Sequence, residues 1–138
     1  MADISVTATS VVPGTAAGDT VQEGLAGATI TAGQPLYKDS TDGDRLKPAI
    51  ITSAATAACV GIATCNCADE QRCTYQTQGN LTFNAVLTKG SSYYVSNNAG
   101  GISPFADLGS GDFVTYLGTA TSTTVLAIQA HKSGIAIT

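Results

Sequence analysis

Apolar side chains recur in short alternating runs, interrupted about every ten residues by Gly, Asn, Asp or Pro. A period of two sends alternate side chains to opposite faces of a strand, whereas an amphipathic helix needs a spacing of three to four. Leu36-Tyr37-Lys38 leads into the polar turn Asp39-Ser40-Thr41-Asp42-Gly43-Asp44, and Leu46 to Thr52 returns, which predicts a hairpin. Ala58 to Thr64, centred on Val60 and Ile62, reads as a buried strand with Arg72 to Thr77 as its partner. Gln78-Gly79-Asn80 predicts a turn into a further strand, Leu81 to Leu87. Ser91 to Ser96 places Tyr93 and Val95 on one face and Tyr94 on the other. Gly111 to Ala120 and Thr124 to Ala130 form the clearest hairpin, and a short last strand follows over Ile135 to Ile137. Ser53 to Ala58 reads as a helical turn or a loop, and Pro104 to Leu108 as one helical turn.

No segment carries helical periodicity over helix length, so the pattern predicts an all-β fold, a small β-sandwich or barrel-like knob. Residues 1–20 form a Thr/Ala/Gly-rich lead in which Ile4, Val6 and Ala8 alternate and Pro13-Gly14 breaks the run. They read as an extended N-terminal arm or an edge strand, with a frayed terminus as the plain alternative, ahead of a single β domain over residues 21–138. Fully extended, such an arm spans about 70 Å, enough to cross a neighbouring molecule. Its apolar residues Ile4, Val6, Val11, Val12 and Pro13 are the candidate contacts to such a neighbour.

Composition sharpens this picture. Ala, Thr, Gly and Ser supply 67 of the 138 residues, and charged residues make up 12%, about half the usual share. Small and β-branched side chains suit close-packed sheets, and the good exposed-helix formers are scarce. A net charge of -4, with the six Lys and Arg residues scattered, argues against nucleic acid as a partner. No run of 18 apolar residues exists, so no transmembrane helix and no membrane partner are expected. The N-terminus shows no basic stretch followed by an apolar one, which predicts a chain that stays in the cytoplasm unless a larger assembly carries it out.

Candidate chemistry centres on Cys59, Cys65, Cys67 and Cys73. Cys65 and Cys73 are the candidate disulfide pair, because strands flanking the 67–71 turn would bring them opposite one another. Zinc is the weaker reading, since structural sites favour two close Cys pairs and only one is present. Packing as small apolar residues is the third and commonest use of such cysteines. The lone histidine, His131, sits at a strand end without a nucleophile motif, so catalysis is not expected. Asp39, Asp42 and Asp44 lack the spacing of a calcium loop and read as a solvated turn. No cofactor is expected.

Several phrases carry a resemblance. They are Ile30-Thr31-Ala32-Gly33-Gln34-Pro35-Leu36-Tyr37, Val60-Gly61-Ile62-Ala63, Tyr75-Gln76-Thr77-Gln78-Gly79 and Tyr93-Tyr94-Val95-Ser96. Further on come Gly100-Gly101-Ile102-Ser103-Pro104, Asp107-Leu108-Gly109-Ser110-Gly111-Asp112 and Leu117-Gly118-Thr119-Ala120. Together they resemble the small head-decoration, or cement, proteins of tailed bacteriophages. The cysteine cluster departs from that pattern. The resemblance implies a β-rich knob, commonly a homotrimer, seated on the major capsid protein at the outer surface of a virion and made in the host cytoplasm. It also implies an N-terminal arm laid over the shell or a neighbouring copy. The alternative is a tail or fibre module that binds a host receptor or glycan, for which an exposed aromatic platform drawn from Tyr37, Tyr93, Tyr94 and Tyr116 would be the marker.

Overall fold

Alternating Thr, Val and Tyr side chains stiffen the backbone in the extended region and leave its N–H and C=O groups to be satisfied between strands. The computed structural model describes residues 3–105 and 108–138, and it is all-β. Nine strands are described: β1 Thr20–Leu25, β2 Pro35–Asp39, β3 Arg45–Pro48, β4 Cys59–Ala63, β5 Arg72–Thr82, β6 Ser92–Val95, β7 Ile102–Pro104, β8 Phe113–Ala120 and β9 Val125–Ala136. They form one antiparallel sheet in the order β3-β2-β4-β5-β9-β8-β6-β7, with β1 added to β5.

The long strand β5 is the spine. Tyr75 and Gln76 face β1 on one side and β4 on the other, while Gln78 faces β1 on one side and β9 on the other. Thus β4 and β9 share one edge of β5, and the N-terminal chain takes the opposite edge. The sheet curls around the first half of β5, where a parallel bridge between Ala26 and Leu46 joins the end of β1 to β3. Inside this small half-barrel lie Ala26, Ile30, Leu36, Leu46, Ala63, Cys67, Cys73 and Tyr75. A larger core under the second half of β5 gathers Ile51, Ile62, Leu81, Phe83, Leu87, Tyr93, Val95, Ile102, Leu117 and Leu126 among others.

Three expectations are corrected. The turn expected at Gln78-Gly79-Asn80 does not form, and β5 continues straight through to Thr82. Gly79 adopts φ +97 inside the strand, and the Asp19 carboxylate occupies the space a Cβ would need. The glycine therefore permits a local distortion against a distant side chain rather than a reversal. The strand expected over Ile135 to Ile137 is instead largely the continuation of β9, which runs to Ala136.

The third correction concerns the arm. Residues 3–19 lie against the domain instead of reaching away from it. Ile4 N–H donates to the Ile102 carbonyl at 3.0 Å, and Val12 and Thr82 exchange backbone hydrogen bonds. The Asp3 carboxylate accepts from Ser96 and Asn98, and Asn84 bonds the backbone of both Ser5 and Thr7. Alternation of Ile4, Val6 and Ala8 is used to rest one side of the segment on the larger core. The helical turn expected over Pro104 to Leu108 includes Ala106 and Asp107, which lie outside the described residues.

The hairpin of β2 and β3 forms as expected, with Asp39 opposite Arg45. Asp39 accepts from the Thr41 N–H and hydroxyl and from Lys47 Nζ at 2.7 Å, and Lys47 also reaches Asp42. The Lys47 bond first, then those from Thr41, hold the Asp39 carboxyl at about 2. A carboxyl lowered on folding adds stability above its unfolded value, about 3.9, and that contribution disappears as pH falls through the folded value. Asp39→Asn should therefore be less stable than the native chain at neutral pH, with the difference vanishing towards pH 2. Urea melts across an acid series measure it, and a gap that persists at pH 2 would contradict the assignment.

Candidate functional site

Three features stand apart from ordinary core and turns: a strip along the N-terminal run where exposed apolar side chains are interrupted by the Glu23–Arg72 ion pair, an aromatic group, and a cluster of thiols in the half-barrel.

The strip follows from how residues 12–25 clothe one edge of β5. Val12 pairs with Thr82, the loop through Gly14 to Asp19 is bonded to Gln76 and Asn80, and β1 then pairs from Gln78 down to Arg72. This run satisfies the β5 edge but turns Val12 (54% exposed), Val21 (43%) and Leu25 (38%) to solvent. Among the described strands β1 pairs with β5, so its outer edge carries unpaired backbone groups along most of its length. Of the five contact residues expected from sequence, only Val12 is broadly exposed. Val11 is buried in the larger core, Ile4 and Val6 are half-buried against it, and Pro13 is half-buried. Val21 and Leu25 were missed because they lie on a weakly patterned stretch whose register only β5 defines.

A second surface feature lies at the other end of the sheet. Tyr94 stands edge-to-face with Phe105 at 5.3 Å and with Tyr116 at 5.8 Å between ring centroids. Phe105 is 55% exposed, whereas Tyr93, on the opposite face of β6, is buried. The sequence marked the tyrosines but gave no sign that Phe105 would join them.

All four cysteines are free thiols. Cys59 stands alone on β4, donating to the Gly61 carbonyl, and burial pushes its thiol up to about 12. Cys65, Cys67 and Cys73 converge, with their sulfurs all within 4.8 Å of one another. Cys65 and Cys67 are 3.4 Å apart. The candidate pair Cys65 and Cys73 is thus brought together, with Cys67 as a third member.

Local chain geometry explains the convergence. Cys73 is the second residue of β5 and points into the half-barrel, fully buried. The loop after β4 folds back so that Cys67 exchanges both backbone hydrogen bonds with Ile30, each 2.8 Å. Cys65, partly buried, accepts from the Thr74 N–H at 3.4 Å and from the Thr74 hydroxyl at 3.3 Å. Partial burial opposes its ionisation, yet the Thr74 bonds together with those from Cys67 and Cys73 hold it below the ordinary thiol value. Burial raises Cys67, and burial with the neighbouring sulfurs raises Cys73 further. The cluster therefore sets one thiol whose ionisation its neighbours favour beside two whose ionisation burial opposes.

His131 is exposed on β9, remote in sequence from the cluster, and the Asp39 turn is tied up by Lys47 and Thr41 as an ordinary solvated turn. Among the described residues no helix is long and apolar enough to cross a membrane. No family model matches the chain, and neither a curated protein nor a solved structure matches it.

Proposed function

We propose that this chain is a virion structural protein that seats on the outer surface of a tailed-phage capsid and cements it. The observation that carries the reading is the open outer edge of β1 and the run leading into it, along which Val12, Val21 and Leu25 are exposed at intervals with the Glu23–Arg72 ion pair between the last two. Apolar side chains next to unpaired strand groups offer a partner both area burial and main-chain hydrogen bonds. A surface poor in charge keeps the desolvation cost of such contact low. Many copies on a repeating shell multiply contacts that are individually weak. The resemblance described above points the same way and adds the major capsid protein and further copies of the chain, commonly a trimer, as partners.

In this form the mechanism does not need a free arm. The N-terminal segment helps build the docking strip by holding the β5 edge, and the strip makes the contact. Purified protein should bind capsids of the encoding phage at a fixed copy number and raise their heat resistance. A chain carrying Val12→Ser, Val21→Ser and Leu25→Ser should keep its circular dichroism melt within a few degrees and lose most of its capsid occupancy. Undiminished occupancy in that variant would remove the strip from the mechanism, and failure to bind any capsid state would end the proposal.

One observation favours the second reading, a tail or fibre module for a host glycan or receptor. It is the aromatic group of exposed Phe105 with the half-buried Tyr94 and Tyr116, since aromatic faces bind sugars and protein anchors alike. Labelling the chain in intact particles separates head from tail.

A further inference from the structure

We propose that Cys65, Cys67 and Cys73 form a binding site for a single thiophilic closed-shell cation, Zn(II) or Cu(I). Three sulfurs within 4.8 Å of one another, two from the loop after β4 and one from the start of β5, already surround one point. Sulfurs held about 2.3 Å from a shared ion stand roughly 3.8 to 4.0 Å apart, so closing around it requires adjustments of under about 1 Å. Soft thiolates select such ions over magnesium or calcium.

The surroundings fit a metal better than a disulfide. A disulfide would use two of the three sulfurs and leave one behind. An ion uses all three, and Cys65, hydrogen-bonded by Thr74, is the most exposed of them and gives the ion its way in. Buried Cys67 and Cys73 then lose their protons as the cation replaces the charge that burial disfavours. Binding thus exchanges up to three thiol protons, released to solvent, for one metal ion. Among the described residues no His, Asp, Glu or fourth Cys joins the group. Cu(I) is complete with three sulfurs; Zn(II) would take a water or an outside donor in the open fourth position.

The consequence is structural. Through its backbone pairing with Ile30, Cys67 ties the segment after β1 to the loop after β4. An ion on the three sulfurs would lock that segment, β4 and β5 together where the half-barrel closes.

The test uses the full reduced chain, titrated without oxygen against Zn(II) in one arm and against Cu(I) with a competing chelator in the other. One equivalent should bind in at least one arm, release protons and shield Cys65, the partly exposed thiol of the three, from an alkylating reagent. Binding should also raise Tm by about 5 °C or more. Cys65→Ser should weaken binding about 100-fold or more, while Cys59→Ser should leave it unchanged. Absence of a one-to-one complex in both arms overturns the proposal, as does binding that Cys59→Ser abolishes or Cys65→Ser spares. Thiol shielding in the unaltered chain decides the matter independently if Cys65→Ser fails to fold.

Discussion

Phe83→Ala should lower the melting temperature by roughly 10 to 20 °C, the largest effect expected of any single truncation here. Phe83 is 2% exposed and lies in the larger core with Leu81, Leu87, Leu117 and Leu126. Its N–H donates to the Thr124 carbonyl at 2.6 Å, which holds the chain just after β5 against the turn that opens β9. Removing a buried phenyl ring costs about 3 to 5 kcal/mol, because transfer energy is lost and a cavity is left that neighbours fill only in part. Against a total stability of about 5 to 15 kcal/mol, that loss is large. Val12→Ala on the exposed strip is the control and should change stability by about 0.5 kcal/mol or less. Thermal melts followed by circular dichroism measure both, and a shift under about 5 °C for Phe83→Ala would contradict its place in the core.

The second large effect is expected from Gln76→Leu, which keeps much of the volume and removes the amide. Gln76 is fully buried in β5. Its Oε1 accepts from the Gly14 N–H at 3.0 Å, and its Nε2 donates to the carbonyls of Gln78 at 3.1 Å and Asn80 at 3.0 Å. Substitution leaves these backbone groups short of a partner, at a cost of about 2 to 4 kcal/mol. The lesion is local in a way that core loss is not, because Gln76 fastens the loop of residues 13–19 to the spine. Limited proteolysis should therefore cut Gln76→Leu within that loop before the domain melts. In Phe83→Ala, cleavage should follow global unfolding. Equal protection of the loop in native and Gln76→Leu chains would show that Asp19 alone, through its bond to Asn80 N–H, suffices to hold it. On the proposed function the same variant should lose capsid occupancy, since the strip is displayed by that run.

The path from pattern to fold can be followed residue by residue. Alternation around Leu36 and Leu46, with Asp and Gly between them, predicts the β2–β3 hairpin, since both signals are local. Tyr93 and Val95 face inward and Tyr94 outward, as a period of two requires. Gly79 misleads because its neighbours Gln78 and Asn80 have turn chemistry, while the group that decides its conformation, Asp19, is sixty positions away. The N-terminal lead misleads for a related reason. Ile4, Val6 and Val11 look free to contact another molecule until the larger core presents itself beside them. The spacing of Cys65 and Cys73 suggests a facing pair, but only the fold-back that pairs Cys67 with Ile30 adds the third sulfur.

The sequence by itself determined the all-β character, the positions of most strands and hairpins, and a surface short of charge. Those properties follow from side-chain shape and from polarity between near neighbours. Tertiary structure alone decided that β5 carries partners on both edges and that residues 3–19 lie on the domain. It likewise decided which apolar residues stay exposed and that three cysteines converge. Each of these depends on groups distant in the chain competing for one strand edge or one pocket, and no local pattern records who wins such a competition.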